Sequence, residues 1–140
     1  MRIHLSETQP LDGTYKWVNS IALLDGTVLD SEARVMVCDN FVSSFEENEV
    51  ADAIKKIVSK IRLKGQITFI EADIEVLSRK MFTQEIDLKD LNAIVFANQK
   101  RRCFLTMEKL LESLPSNITL ESKHFDQATS RVIIKCRRTG

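Results

Sequence analysis

SFEENEVADAIKKIVSKIRLKGQITFIEAD, residues 44–73, reads as a helix, a turn and a strand. Ser44 and Glu47 have the spacing of a capping box, in which a serine hydroxyl accepts a backbone bond and the glutamate returns one. Val50, Ile54, Ile57, Val58 and Ile61 then recur at helical spacing, with Asp52, Lys55, Lys56, Ser59 and Lys60 on the other face. A helix from about Phe45 to Leu63 follows. Gly65 is placed to stop it in the left-handed conformation. ITFI (67–70) is then a continuous apolar run, the pattern of a strand buried on both faces.

Upstream, VMVC (35–38) is a second such run. Two buried strands flanking one amphipathic helix predict adjacent parallel strands joined by a right-handed crossover. RIHLS (2–6) reads as a short first strand and YKWVNSIAL (15–23) as a second. Leu11-Asp12-Gly13-Thr14 and Leu24-Asp25-Gly26-Thr27 each carry Asp-Gly, so two turns are expected to bracket that second strand. Apolar spacing predicts helices over 74–82 and 88–96, the latter led by Asp87, and Thr106 caps another that Pro115 ends. ITLESKHF (118–125) and RVIIKC (131–136) are close enough for an antiparallel hairpin.

With 140 residues, 44% hydrophobic and 29% charged, and only four Gly and two Pro, the chain reads as one globular domain without a flexible linker. No apolar run approaches a membrane span, and MRIHLSETQP lacks the basic and apolar blocks of a signal peptide, so a cytoplasmic protein is expected. Cys38, Cys103 and Cys136 lie far apart without CxxC spacing, which predicts three buried reduced thiols and no zinc site. Acidic and basic residues balance at 20 each, yet residues 1–98 carry a net −5 and residues 99–140 a net +5. Lys100-Arg101-Arg102 and Arg137-Arg138 supply most of that excess. Basic turns are usually solvated, so neither nucleic acid nor membrane is expected as a partner.

This order resembles the class I S-adenosylmethionine-dependent methyltransferases, in particular a branch whose first strand passes through a short loop into the second. Leu5 and the segment from Leu11-Asp12-Gly13 to Trp17-Val18-Asn19 match that branch's Leu-Gly-Cys-Gly loop and Gly-aromatic-x-Asn-x-Asp strand. Val35 to Ser43 match a strand followed by Leu-Glu-His. Leu63-Lys64-Gly65 matches a Leu-Lys-Pro-Gly-Gly turn, Ala72-Asp73 the proline-aspartate that ends the next strand, and Leu91 to Gln99 a later helix. The resemblance implies an α/β fold: a three-layer Rossmann-like sandwich with a mostly parallel sheet and a C-terminal antiparallel hairpin. It implies methyl transfer from S-adenosylmethionine to an unidentified acceptor.

It also implies where the cofactor would lie: the loop Leu5, Ser6, Glu7 and Thr8, then Asn19, Ser20 and Ile21, then Asp39, Asn40 and Phe41. Ser6 to Thr8 stand where the family has glycines, and Ile21 where it has the acid that holds the ribose. Side chains there crowd the ligand, and Glu7 sets a negative charge beside a carboxylate. Weak or absent binding of S-adenosylmethionine is therefore expected, and the alternative is a catalytically inactive binding or assembly module.

Asp39 and Asn40 end a buried strand at the carboxyl edge, where open α/β sheets bind ligands, though turn chemistry explains them as well. Glu71 and Asp73 end the next strand and read either as general bases or as acids capping the helix that follows. His4 and His124 lie in strands and need no function. Tyr15 and Trp17 suit stacking on a ligand or packing within the fold. Ile94-Val95-Phe96-Ala97 with its basic rim Lys100-Arg101-Arg102 offers an apolar patch for a homodimer or a heterologous protein partner, in which case Phe96→Glu yields a folded monomer.

Overall fold

The computed structural model describes residues 1–140. Six strands form one sheet: β1 (Arg2–Leu5), β2 (Lys16–Val18), β3 (Ala33–Asp39), β4 (Ile61–Ala72), β5 (Ile118–Asp126) and β6 (Arg131–Arg138). Their spatial order is β2-β1-β3-β4-β6-β5. β2, β1, β3 and β4 pair in parallel, and β6 pairs antiparallel with both β4 and β5. The helices are α1 (Ile21–Thr27), α2 (Val50–Ser59), α3 (Ile74–Phe82), α4 (Leu88–Val95) and α5 (Met107–Glu112). A Rossmann-like α/β sheet with a C-terminal antiparallel hairpin is therefore present, and VMVC and ITFI pair in parallel as neighbours.

The core forms where α2 meets the sheet. Val50, Ile54, Ile57 and Val58 are fully buried against Met36, Cys38, Ile67 and Phe69. Each such aliphatic side chain contributes about 1.5–3 kcal/mol by leaving water. Along the strands every fully buried apolar side chain larger than alanine falls on this one face: Ile3 lies beside Met36, Met36 beside Ile67, and Ile67 beside Cys136. On the other face Val35, Val37, Thr68, Ile70 and Ile133 are only half-buried.

Local expectations are corrected at four places. Ser44 and Glu47 form no capping box: two short 3-10 turns, Val42–Ser44 and Glu47–Glu49, precede α2, and Glu49 at its start makes no side-chain cap bond. Tertiary bonds take the groups instead, since the Ser43 amide donates to Glu71 Oε1 at 3.0 Å and the Ser44 hydroxyl accepts from Asn98 Nδ2 at 3.0 Å. Gly65 does not adopt a left-handed conformation, which falls to Lys64 (φ 64°). Gly65 lies inside β4, where an added Cβ would meet Ile61 Cγ2 at 2.7 Å, Arg62 O at 2.9 Å and Arg34 O at 3.0 Å.

The third correction is at the second expected strand, which stops at Val18. Ser20 accepts from the Leu23 amide at 3.2 Å and caps α1, so Asp25-Gly26 sits in a helix rather than a turn. Asp25 is drawn there by α2, pairing with Lys56 and, at 3.2 Å, with Lys60. The fourth concerns the thiols: Cys38 and Cys136 are buried, but Cys103 is partly exposed, and all three are free. Asp87 and Thr106 cap α4 and α5 as their positions predict.

Candidate functional site

Open α/β sheets bind ligands at the carboxyl ends of their parallel strands, and here β1, β3 and β4 all end at one edge. Past β1, the chain turns back on itself. Ser6 Oγ donates to Thr8 O at 2.6 Å and lies 3.0 Å from His4 Nδ1, while Ser6 O accepts from the Trp17 indole at 3.0 Å. Glu7 reaches outward, and its Oε2 accepts from the Gln99 amide at 2.8 Å. Past β3, Asn40 takes a left-handed conformation (φ 50°), and its amide donates to Ile70 O at 2.8 Å.

The link between α4 and α5 covers this edge. Asn98 is 2% exposed. Its Nδ2 donates to Asn40 O at 2.6 Å and to the Ser43 and Ser44 hydroxyls at 3.4 and 3.0 Å, and its Oδ1 accepts from the Lys100 amide at 2.9 Å. On the other side Arg131 Nη1 donates to Asp39 Oδ1 at 3.0 Å, bridging β6 to β3 across β4. The cleft left between them measures about 140 Å³ and is lined by Ser6, Glu7, Thr8, Asp39, Asn40, Ala97, Asn98 and Arg131.

Of the residues expected at a cofactor site, the fold thus gathers Ser6, Glu7, Thr8, Asp39 and Asn40. Leu5 and Phe41 are buried in the core, and Phe41 meets Phe45 edge to face at 5.8 Å. Asn19, Ser20 and Ile21 lie away from the cleft, because Ser20 and Ile21 begin α1 and Ile21 packs on the core. Ala97, Asn98 and Arg131 were missed. One clue to Asn98 was available: an amide that follows the apolar run Ile94 to Ala97.

Asp73 is fully engaged as a cap. Its Oδ1 accepts from the Glu75 and Val76 amides at 2.8 and 3.1 Å, and its Oδ2 accepts from the Met107 amide at 2.8 Å, which ties the starts of α3 and α5 together. Glu71 points into the core face, fully buried, with Oε2 unpartnered. Burial pushes its carboxyl up to about 7, against the opposing pull of the Ser43 amide and the Arg101 guanidinium. Neither carboxylate lines the cleft. Tyr15 is held by Arg2, whose guanidinium lies 4.3 Å over its ring, and by His4, edge-on at 6.0 Å. Burial lowers the His4 pKa, with Asp39 opposing.

No group of three or more His, Cys, Asp and Glu side chains is placed to hold a metal ion, and no helix is long and apolar enough to cross a membrane. No family model and no curated protein matches the sequence. Solved structures do match the fold. A possible exported protein from Bordetella parapertussis superposes with a TM-score of 0.63 at 14% identity, over 89% of this chain and 44% of its own. The N-methyltransferase NodS from Bradyrhizobium japonicum, solved with S-adenosylhomocysteine, gives 0.56 at 13% identity, over 90% and 55%. Magnesium protoporphyrin IX methyltransferase from Synechocystis, also with S-adenosylhomocysteine, gives 0.57 at 11% identity, over 89% and 51%.

The fold is that of the class I S-adenosylmethionine-dependent methyltransferases. The chain spans about half the length of these three structures. Set on the methyltransferase fold, the cleft beside Ser6 to Thr8 lies where the resemblance puts the glycine loop. The cleft measures about 140 Å³ and adjoins a hollow of about 290 Å³ with which it shares Asn40, Ala97 and Arg131; small-molecule pockets run to roughly 300–1,000 Å³.

Proposed function

We propose that this protein is a methyltransferase-fold module whose cofactor cleft is closed by its own chain and which serves in binding and assembly rather than in methyl transfer. The observation that carries this reading is the bond from the Gln99 amide to Glu7, set beside buried Asn98. A nucleoside with an amino-acid tail could enter only after that link had left, which breaks the Glu7 bond and the bonds made by Asn98. Each net hydrogen bond is worth about 1 kcal/mol, and a buried donor or acceptor left unpaired costs more. Nothing charged waits at Ile21 to recover that loss on the ribose.

The second reading is impaired methyl transfer to an unidentified acceptor, favoured by a fold shared with NodS and the magnesium protoporphyrin methyltransferase. Such transfer needs mainly orientation of the donor carbon and, for some acceptors, a base. Asp73 is bound up in capping and Glu71 faces the core, and the two carboxylates that do line the cleft are engaged, Glu7 with the Gln99 amide and Asp39 with Arg131. Calorimetric titration with S-adenosylmethionine and S-adenosylhomocysteine separates the two. The assembly reading expects no heat of binding at micromolar ligand, and saturable low-micromolar binding overturns it in favour of the enzyme.

A further inference from the structure

Resting on the assembly reading, we infer that the hollow walled by Phe96 and Phe104 is a docking site for an acidic segment of another protein, which seats one aromatic or large aliphatic side chain there. The hollow measures about 270 Å³ and lies where the end of α4 meets the link to α5, with Val95, Cys103, Arg101 and Arg102 also in its lining. Phe96 is 66% exposed and Phe104 51%, an apolar pair left open at one place on the surface. A cavity of about 150 Å³ already holds a benzene ring, whereas free small molecules take roughly 300–1,000 Å³. The hollow therefore suits a single side chain.

The charges around it select the occupant. Arg101 and Arg102 line this hollow and, with Lys100, an adjoining one of about 520 Å³, and Glu49 in the latter is the one carboxylate on either. None of the three cations is paired: the ion pairs of the chain join Lys56 and Lys60 to Asp25, Lys60 to Asp30, Arg131 to Asp39 and Arg137 to Glu121. Arg101 Nε donates to Val95 O at 2.9 Å, yet its Nη1 and Nη2 are buried with no partner. Glu71 is near enough to feel the Arg101 guanidinium, and Glu47 to act on Cys103, but neither forms an ion pair. Unpaired positive charge around a partly apolar hollow draws acidic ligands. A second copy offers no such segment: exposed Phe82 follows Arg79 and Lys80, Phe125 is fixed in β5 between Lys123 and Asp126, and Phe45, which adjoins Glu46 and Glu47, packs on the core.

The site is also held in shape. The Gln99 amide donates to Glu7 Oε2 at 2.8 Å, the Lys100 amide to Asn98 Oδ1 at 2.9 Å, the Arg101 amide to Asn98 O at 3.2 Å and the Arg102 amide to Ser43 O at 2.8 Å. With these consecutive amides engaged, the backbone that carries the cations is fixed before a partner arrives, and little affinity is lost to ordering it.

The test is fluorescence anisotropy of a labelled, terminally blocked pentapeptide, four glutamates around one phenylalanine, titrated with the full chain. Saturable binding that weakens as salt is raised is the expected result. Replacing the peptide's phenylalanine with alanine, or introducing Phe96→Glu or Arg102→Glu in the protein, should each weaken it roughly tenfold or more. Leu29→Glu, ahead of β3 at the opposite edge of the sheet, should change nothing; all three positions are exposed, so the variants keep the fold. Absence of saturable binding overturns the inference, as does binding that tolerates Phe96→Glu or is matched by a peptide of four lysines around phenylalanine. A dimer in sedimentation equilibrium that Phe96→Glu dissolves overturns it in favour of a second copy. S-adenosylhomocysteine titrated into the same samples keeps the two proposals apart: binding of both ligands defeats the assembly reading alone, and binding of neither defeats only this site.

Discussion

The side-chain amide of Asn98 donates to the backbone carbonyl of Asn40 across 58 positions of sequence, at 2.6 Å. Through it the link between α4 and α5 is fixed to the end of β3, over the edge where open α/β sheets bind ligands. Replacing it with Ala leaves the carbonyl of Asn40 and the hydroxyls of Ser43 and Ser44 without that donor. Asn98→Ala should lower stability by about 1–3 kcal/mol in urea unfolding, and the Gln99 amide should then exchange faster with solvent.

Gly65 and Lys64 should respond in opposite directions. Gly65→Ala drives a Cβ into two carbonyl oxygens and Ile61 Cγ2 at 3.0 Å or less, and backbone atoms cannot turn aside. A loss of about 1–3 kcal/mol is expected. Lys64→Gly removes the left-handed strain of a side-chain-bearing residue and should gain up to about 1 kcal/mol in the same assay.

Glu71 makes stability depend on pH. Its ordinary carboxyl value is 4.5 and its folded value about 7, so the folded state holds the proton more tightly than the unfolded state does. The associated stability is fully present below pH 4.5, declines as pH rises and is lost above about 7. The loss is about 3 kcal/mol by the conversion of 1.36 kcal/mol per pKa unit. Glu71→Gln keeps an acceptor for the Ser43 amide and removes the charge. Chemical denaturation at a series of pH values should show the slope between 4.5 and 7 flatten, with the variant more stable than the parent at pH 8.

On α2 the two faces should differ sharply. Ile57→Asp buries an unpaired charge beside Met36 and Phe69 and should unfold the domain, seen as loss of the cooperative thermal transition. Lys56→Asp removes an exposed pair with Asp25 and should change stability by less than about 1 kcal/mol.

Much of the scaffold was legible because its signals are local. The apolar runs of β3 and β4, the periodicity of α2, the caps at Asp73, Asp87 and Thr106, and the short turn before β6 each act over a few residues. Ser44 misled because its hydroxyl is claimed by Asn98, 54 positions away, and Gly65 because its glycine answers a close approach by Arg34 O rather than a helix end. Ile21 to Leu23 looked like strand and Leu24 to Thr27 like a turn, but Ser20 supplies a cap and α2 supplies lysines to Asp25. The cleft was half legible: the loop at Ser6 to Thr8 and the end of β3 were found, but Arg131 and Asn98 enter from distant segments and leave no periodic trace.

The place of β6 beside β4 has a consequence for synthesis. β4 is complete at Ala72, but the strand that covers its free edge begins at Arg131, about 60 residues later. At about 5–20 residues per second a ribosome needs roughly 3–12 s to deliver it. During that interval β3, α2 and β4 can already assemble as a unit, with Ile67 and Phe69 on an unpaired edge strand. A nascent chain stalled between Asp73 and Ser130 should therefore recruit chaperones or aggregate, and the Arg131–Asp39 pair marks the moment at which the sheet is closed.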